Sequence, residues 1–503
     1  MANVILIRVD LGSVGSSLMK RGKVCTEQRN ACCVLSLTSE NFELSWRSMS
    51  KESLTHQKPK YLDLFSGCGG LSIGLERAGW ELAFAIEKSE MAAETFASNV
   101  LNMSEEAYKA LLGTKSMRAQ INLGLGVRGV ESATSLTKEE LSTKGISLVV
   151  GGPPCQGFSL AGSRNSDDHR NELPLQFLKM VKKVEPTFVV MENVVGMHSK
   201  FSPDDSITVY EKIAELLEGR TSSGQKYIVQ KVLANAMHFG AAQSRPRLLL
   251  IACKFDFAQK KGITATSTVW KSNFSDLLDS PIPDLAPTPI ASNQIATVQD
   301  AFSDLIDLGE STYTQFLKSP EIWGKPITSA LQNHNFRNHN KNTIEKLWVF
   351  TLATELGLPK EALRTNNKMI SKPEFKERLG SFPYPLKSKN NPELLIDTPE
   401  TFMKLLKKHA TKKHSQRPLM LDQPSPTITT SPDDFIHPLE PRALTVREMA
   451  RLQGFPDSFI FKAKETTGGV KRRTEVPQYS QVGNAVSPFL AHALGQMLIK
   501  LIN

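Results

Sequence analysis

The chain has 503 residues, of which 40% are hydrophobic and 22% are charged, a mixture typical of folded globular proteins. This length allows two to four domains of about 150 residues each. No apolar run approaches the roughly 20 residues that cross a bilayer, which argues against an integral membrane protein. Six cysteines are too few for a disulfide scaffold, and no signal-peptide pattern opens the chain. We therefore expect a reduced, cytoplasmic protein.

The formal net charge is +10, and it is concentrated in one region. Residues 341–420 contain 16 Lys and Arg against 8 Asp and Glu. Such a stretch is either a solvated basic face or a surface that neutralises nucleic-acid phosphates. Composition alone leaves both interpretations open.

Residues 1–57 have no sustained helical or strand period and are expected to contribute no chemistry. They are interpreted either as a disordered N-terminal arm or as sequence upstream of a true start at Met49. A protein that begins at Met49 is therefore expected to keep full activity and stability.

From Tyr61 onward the pattern alternates between strands and helices, which predicts a doubly wound α/β sheet. Two apolar segments read as buried parallel strands joined by a crossover helix, and a later segment reads as strand, turn, strand. Near residue 260 the composition shifts toward Ser, Thr, Pro and Asn. Further on, "LTVREMARLQGFPDSF" predicts an amphipathic helix ended by Gly454 and Pro456, and the chain closes with an apolar helix.

The segment "DLFSGCGG", residues 63–70, places glycines where a strand turns into a helix. Glycines allow a ligand to approach the backbone closely there. Glu87, at the end of the second strand, can accept hydrogen bonds from the ribose of an adenosine cofactor, although a plain surface carboxylate is the alternative. The missing Gly-Lys-Ser/Thr argues against a nucleoside triphosphatase.

The segment "GGPPCQGFS", residues 151–159, places Cys155 at the carboxyl end of a predicted strand. Active sites of α/β proteins lie at that edge, so Cys155 is a candidate nucleophile, with a buried structural cysteine as the alternative. Glu192 ends the next strand, and "QSRPR" supplies Arg245 and Arg247. Each of these three alone is typical of a salt bridge or a cap. Together with a thiol they suit attack on a polarised heterocycle.

These strings, followed by "RALTVREMARLQGFP" and "QVGNAVSP", resemble the motifs of the C5-cytosine DNA methyltransferases, in the same order. The resemblance runs from about Tyr61 to the C-terminus. It implies a Rossmann-like methyltransferase domain that uses S-adenosylmethionine, with a second, smaller target-recognition lobe. The boundaries expected are 58–275 for the catalytic domain, completed by 478–503, and 276–477 for the lobe.

The resemblance also implies residue roles. Phe65 would stack on the cofactor adenine and Glu87 would bind the ribose, and the other cofactor-binding residues would be Gly67, Gly69, Leu173, Asn484 and Val486. Cys155 would be the nucleophile, and Glu192 would bind the cytosine edge and its N3. Arg245 and Arg247 would hold the base and the surroundings of the nucleophile. The DNA-binding residues would be Gln156, Ser159, Arg170 and Thr427. No metal site is implied.

One window departs from the family pattern, because "GVRGVESATSL" contains only Glu131 where an acid usually contacts the adenine amine. We assign no residue to that contact. The expected substrate is double-stranded DNA and the expected state is a monomer. A bacterial restriction-modification system, with a separately acting endonuclease, is the expected context, and a solitary methylase is the alternative. An RNA methyltransferase and a non-catalytic DNA-binding module remain the competing functions.

Overall fold

The structure is a computed structural model that describes residues 5–8, 58–113, 145–154, 173–198, 207–219, 226–327, 330–365, 368–388, 391–413, 415–469, 471 and 474–503. Its strands are β1 Ile5–Arg8, β2 Lys60–Leu64, β3 Glu81–Glu87, β4 Ile146–Gly151, β5 Phe188–Val194, β6 Tyr227–Asn235, β7 Pro246–Lys254, β8 Trp270–Lys271, β9 Leu386–Ser388, β10 Asn391–Ile396, β11 Arg417–Pro418 and β12 Phe435–Ile436.

The α-helices alternate with the strands in the first half of the chain and dominate the second half. They are α1 Gly70–Arg77, α2 Glu90–Asn99, α3 Glu105–Gly113, α4 Leu173–Val184, α5 Val209–Glu218, α6 Phe255–Lys261, α7 Val298–Phe302, α8 Thr312–Lys318, α9 Pro320–Trp323, α10 Lys341–Glu355, α11 Pro373–Gly380, α12 Pro399–His409, α13 Val446–Gln453, α14 Gln478–Asn484 and α15 Pro488–Ile502.

Eight strands form one sheet in the order β1-β3-β2-β4-β5-β7-β6-β8. The strands β3, β2, β4 and β5 are parallel, while β7 runs antiparallel to both β5 and β6. The crossover helix α4 joins β4 to β5, as the sequence predicted. The strand, turn and strand expected after residue 226 are β6 and β7. Within this sheet the carboxyl ends of β2, β3, β4 and β5 meet at one edge, and a site can form there.

Side chains alternate between the two faces of the sheet and build a separate core on each face. On one face Leu148 and Val150 pack with residues of α1, α2 and α15. On the other face Val149 packs with residues of α4 and α5. Helices cover both faces, so the predicted doubly wound α/β fold is confirmed.

The last helix, α15, packs against α1 through small residues. A methyl group placed at Gly74 would lie 2.5 Å from the Cβ of Ala491, and one placed at Gly495 would lie 2.6 Å from the Cβ of Ala78. The indole Nε1–H of Trp80 donates to the carbonyl oxygen of Gly495 at 3.0 Å. The C-terminal residues therefore lie against the first helix of the sheet, more than 400 positions earlier in the chain.

Two more cores lie within the predicted lobe, residues 276–477. One extends from Leu347 to Leu406, includes Ile436, and is formed by residues of this lobe alone. The other combines residues between 296 and 461 with Cys68, Ala242 and the segment 479–485. The range 276–477 thus contains one self-contained core and one that is shared with the sheet domain.

The structure differs from the sequence prediction at α13, which is buried on every side. The predicted helix ended by Gly454 is present, and its charged residues have buried partners. Arg451 makes ion pairs with Asp457 at 2.7 Å and with Asp304 at 2.6 Å. Arg447 donates to the carbonyl oxygens of Pro456 and Phe459.

The structure also has a strand where the sequence pattern indicated none. The four residues of β1 pair antiparallel with β3, with Ile5 opposite Glu87. Among the described helices none alone has the length and apolar character to cross a bilayer. The bent pair α14 and α15, which meet at 41°, meets those criteria together by length and composition only.

Candidate active site

The glycine-rich turn after β2 has an unusual backbone conformation. Phe65 has a φ of 60°, which is rare for a residue with a side chain, and Gly67 and Gly69 have φ values of 57° and 102°. A methyl group placed at Gly67 would meet nothing within 4 Å. The turn therefore exposes open space beside its backbone, where a ligand can approach.

Glu87, at the end of β3, is hydrogen-bonded to this turn. Its carboxylate accepts hydrogen bonds from the N–H of Gly67 and the N–H of Ser89, each at 2.7 Å. Burial raises the pKa of Glu87, and these two hydrogen bonds oppose that rise. The buried hydroxyl of Ser66 has no hydrogen-bond partner among the described residues. An acceptor carboxylate and an unpaired hydroxyl thus flank an open loop.

The C-terminal segment reaches the same turn. A methyl group placed at Gly70 would lie 2.4 Å from the carbonyl oxygen of Val486, so the two backbones are in direct contact. Asn484 is exposed two residues earlier. Leu173 is the half-buried first residue of α4. The structure therefore brings Phe65, Glu87 and Val486 to one edge of the sheet from three separate parts of the sequence.

The loop after β4 lies against β5. A β-carbon placed at Gly152 would lie 2.9 Å from Oε2 of Glu192, so this carboxylate lies directly against the glycine. The next residue of β5, Asn193, donates from Nδ2 to the carbonyl oxygen of Pro153 at 3.0 Å. Two successive residues of β5 thus hold two successive residues of this loop.

Arg247 orients Glu192 from the other side. Its Nε lies 2.8 Å from Oε1 of Glu192, and both side chains are about nine-tenths buried. The register explains the contact: Arg247 is opposite Val194 in the antiparallel pair of β5 and β7, which places Glu192 diagonally across on the same face. The two polar residues that the sequence singled out are therefore direct partners.

Arg245 has different surroundings from those expected. Its guanidinium is buried and donates to the carbonyl oxygens of Ile428, Gly483 and Ala485 at 2.8–3.1 Å. Burial is the main reason that its pKa is lowered. Through these hydrogen bonds, Arg245 links the end of the predicted lobe to the C-terminal segment.

Thr427 joins the same region, since its hydroxyl donates to the carbonyl oxygen of Ser244 at 2.8 Å. The neighbouring Ile428 N–H donates to Oε1 of Gln243 at 2.7 Å, and Nε2 of Gln243 donates to Gln453 at 2.9 Å. Gln453 in turn donates to the carbonyl oxygen of Val482. No role was predicted for Asn193, Gln243 or Gln453, although Gln243 lies in "QSRPR" and Gln453 in "RALTVREMARLQGFP".

Several predicted residues fall outside the part of the chain that the structure describes. They are Cys155, Gln156, Ser159 and Arg170. Their roles stay predictions. Within the described ranges, no three side chains of His, Cys, Asp or Glu are grouped so that they could hold a metal ion.

Residues 60–500 match the model of the C-5 cytosine-specific DNA methylase family, so the match covers most of the chain. The chain belongs to this family. It is a DNA (cytosine-5-)-methyltransferase with a Rossmann-like α/β fold, as the motifs indicated.

Individual relatives agree in length as well as in sequence. The type II methyltransferase M.DdeI of Desulfomicrobium norvegicum is 29% identical over 459 residues, which cover 88% of this chain and 90% of the relative. The type II methyltransferase M1.HphI of Haemophilus parahaemolyticus is 26% identical, and the match covers 88% of this chain and 87% of the relative. Among solved structures, the Dnmt2 methyltransferase of S. pombe is 14% identical, with a TM-score of 0.42. The match covers 89% of this chain and 100% of that chain.

Proposed function

We propose that the reaction takes place where the loop after β4 meets Glu192 and Arg247, with Cys155 as the nucleophile. The observation that supports this most strongly is the buried pair of Glu192 and Arg247 against Gly152. Cys155 follows Gly152 by three residues. A carboxyl group with a fixed orientation near a thiol suits a reaction that needs a nucleophile and a proton donor together.

S-adenosylmethionine is the proposed cofactor, and the turn after β2 is its proposed site. The open space at Gly67 and the unpaired hydroxyl of Ser66 fit a polar ligand at this turn. Glu87 has acceptor capacity left for the ribose hydroxyls, and Phe65 supplies an aromatic ring for the adenine. Gly69, Leu173, Asn484 and Val486 complete the proposed set. When bound, this cofactor supplies an electrophilic methyl group that C5 of cytosine displaces from sulfur.

The residues of the chain make cytosine reactive enough for that displacement. The Cys155 thiolate forms a bond between Sγ and C6, and the electron pair of the C5=C6 bond moves to C5. Glu192 transfers a proton to N3, which stabilises the charge that develops on the ring. Afterwards a solvent-derived base takes the C5 proton. The electrons of the C5–H bond restore the double bond, and the Sγ–C6 electron pair leaves with the thiolate. The N3 proton returns to the Glu192 carboxylate as the neutral 5-methylcytosine forms.

The target base must leave the helix to reach this site, because C6 is inaccessible to a thiol in stacked DNA. We propose that Gln156, Ser159 and Arg170 contact the opened duplex. Thr427, whose hydroxyl is bound to the Ser244 carbonyl oxygen, would do so from the end of the lobe. Arg245 then has a positioning role, since its described partners are backbone carbonyl groups.

The lobe is proposed to select the DNA sequence. Its self-contained core between residues 347 and 406 supports a separate recognition module, and its surplus of lysine and arginine suits the phosphate backbone. The names of the type II relatives suggest a bacterial restriction-modification system, with a separately acting endonuclease. We expect a monomer that acts on DNA in the cytoplasm, at the nucleoid.

The test is methyl transfer from labelled S-adenosylmethionine to duplex DNA and, in parallel, to transfer RNA. We expect label in DNA only, at C5 of cytosine within one short sequence. Bisulfite sequencing of DNA from cells that express the protein identifies that sequence. Label in RNA, or at the exocyclic amine of cytosine, would overturn the proposal.

A further inference from the structure

Arg337 and Asp433 form an ion pair at the surface of the lobe. Nη1 of Arg337 lies 2.6 Å from Oδ1 of Asp433, and the two side chains are 30% and 38% exposed. This is the one hydrogen bond that the guanidinium makes among the described residues. A guanidinium has five N–H donors in a fixed plane, so most of them remain for a partner molecule. The pair therefore presents oriented donors beside a carboxylate.

The carboxylate of Asp433 is held in place from two sides. The next residue, Asp434, is buried and accepts from the hydroxyls of Ser415 at 2.6 Å and Thr429 at 2.8 Å, which anchors the backbone here. Nζ of Lys413 lies 3.3 Å from the second carboxylate oxygen of Asp433. The carboxylate thus has a fixed position from which it orients the guanidinium.

The segment that carries Asp433 starts at the edge of the sheet where the candidate site lies. Thr427 is hydrogen-bonded to Ser244, two residues before β7, and the first residues of β7 pair with the end of β5. Asp433 follows Thr427 by six positions, a length of chain that spans at most about 20 Å. Duplex DNA covers that length with about six base pairs. The ion pair is therefore within reach of bases that belong to the same short sequence as the target cytosine.

An exposed aromatic ring precedes Arg337 in the chain. Phe336 is 59% exposed, the guanidinium carbon of Arg442 lies 4.3 Å from its ring centroid, and His334 meets the ring edge to face at 5.2 Å. Arg442 is itself held by the buried Glu448 at 2.7 Å. Aromatic residues and arginine are enriched in recognition surfaces. A supported, exposed ring next to an arginine with unused donors indicates a surface that binds a partner.

The carboxylate determines which part of DNA this surface suits. A phosphate placed against Arg337 would also lie close to Asp433, and the two negative groups would repel each other. In the major groove, by contrast, guanine presents two acceptors, O6 and N7, and its paired cytosine presents an amino donor. A guanidinium beside a carboxylate complements that pattern. The pair is therefore suited to the edge of a G·C base pair and not to the phosphate backbone.

We infer that Arg337 recognises a guanine in the methylated sequence, and that Asp433 is the positioning residue that orients it. This inference rests on the proposed role of the lobe in selecting the DNA sequence. The alternative is an ordinary surface ion pair, which contributes little to stability and nothing to recognition. Loss of a bidentate arginine contact should reduce discrimination at one base pair by about 10-fold or more, while the other positions keep their preference.

The experiment methylates a library of randomised duplex DNA and determines the products by bisulfite sequencing. R337Q should lose at least about 10-fold of the wild-type preference at one G·C pair outside the target pair, and D433N should loosen the same position. The matched control is R378Q. Arg378 is an exposed arginine of the same lobe whose guanidinium donates to the carbonyl oxygen of Gly357 at 2.7 Å. This control loses the same charge and should keep the wild-type preference at every position.

The melting temperature and the affinity for S-adenosylmethionine should match the wild type in all three variants. If R337Q does not fold, R337K, which keeps the charge without the bidentate geometry, takes its place with the same expectation. An unchanged base preference, an equal loss of methylation at every sequence, or a recognised sequence with no second G·C pair would overturn the inference. If the wild type methylates no defined sequence, the proposed role of the lobe fails instead, which is a different outcome.

Discussion

Nε of Arg247 lies 2.8 Å from Oε1 of Glu192, and the two residues are brought together across antiparallel strands that are distant in sequence. The pair is nearly buried, so each charge depends on the other for compensation. The carboxylate also lies against Gly152, at the start of the loop that carries Cys155. The ion pair therefore fixes the orientation of the Glu192 carboxyl group beside this loop.

Removing the carboxylate should separate chemistry from binding. We expect E192Q to lower kcat by about 10²-fold or more, because general acid assistance contributes about that factor. The matched control is E81Q, which breaks the half-exposed pair of Glu81 and Lys60 at 3.5 Å. Steady-state methylation assays should give a wild-type rate for the control. A rate for E192Q within two-fold of the wild type would contradict the assigned role.

The contact between the C-terminal segment and the end of the lobe leaves no space at Gly483. A methyl group there would lie 2.3 Å from the carbonyl oxygen of Thr429. G483A should therefore lower the free energy of unfolding by about 1–3 kcal/mol, the usual cost of overpacking. Thermal unfolding measures this. G380A, whose added methyl group meets nothing within 4 Å, should change the stability by less than about 0.5 kcal/mol.

A buried acid beside the turn after β2 should make stability depend on pH. Asp63 accepts a 2.6 Å hydrogen bond from Ser72, and burial raises its pKa to about 7. Between pH 4 and pH 7 the folded state retains a proton that the unfolded chain has lost, so this group's contribution to stability falls as the pH rises. D63N removes that dependence and should be the more stable protein above pH 7, by at most about 4 kcal/mol.

Denaturant titrations of D63N and the wild type at pH 4 and pH 8 test this. The two proteins should differ in stability at pH 8 and converge at pH 4. The substitution D279N, at an exposed position, is the control and should give the same difference from wild type at both pH values. A constant difference between D63N and the wild type would show that Asp63 is ionised throughout.

The lysines of the lobe are not equivalent. Lys413 pairs with Asp433 at 3.3 Å and Lys408 pairs with Glu345, whereas the exposed Lys404, Lys407 and Lys412 have no ion pair within the described residues. Replacing these three with Gln should weaken binding to all DNA. The slope of log K against log salt should fall by about 0.9 for each phosphate that the variant no longer neutralises. The control variant replaces three exposed lysines outside the lobe with Gln: Lys212, Lys260 and Lys500.

Competitive DNA binding at three salt concentrations provides the measurement. The recognised sequence should stay the same, since phosphate contacts carry no sequence information. An unchanged slope in the lobe variant would mean that these lysines are only a solvated face, and that the DNA contacts lie elsewhere.

Local periodicity was enough to predict the sheet, because its strands are apolar on both faces and each is followed by a clear turn. The strands β4 and β5 and the crossover helix α4 were predicted from that pattern alone, and Glu192 and Arg247 were selected as residues that end or begin a strand. Residues at strand ends were predictable because topology brings such ends to one edge.

Contacts that depend on three-dimensional packing could not be predicted in the same way. The pattern of α13 predicted an amphipathic helix, but it did not show that Arg447 and Arg451 have buried partners far along the chain or in the next loop. Arg245 was expected beside the base, yet its partners are carbonyl groups of residues 428, 483 and 485. The contact between Asn193 and Pro153 required the register between β4 and β5, which no local pattern contains.

Covalent trapping on duplex DNA in which 5-fluorocytosine replaces the target cytosine tests directly whether Cys155 is the nucleophile. Fluorine cannot leave as a proton does, so the complex should stop after methyl transfer with Sγ bonded to C6. Mass spectrometry of the digested adduct should locate the bond at Cys155, and C155S should form no adduct while it melts at the wild-type temperature. An adduct at another residue, or methylation by C155S at the wild-type rate, would show that Cys155 is not the nucleophile.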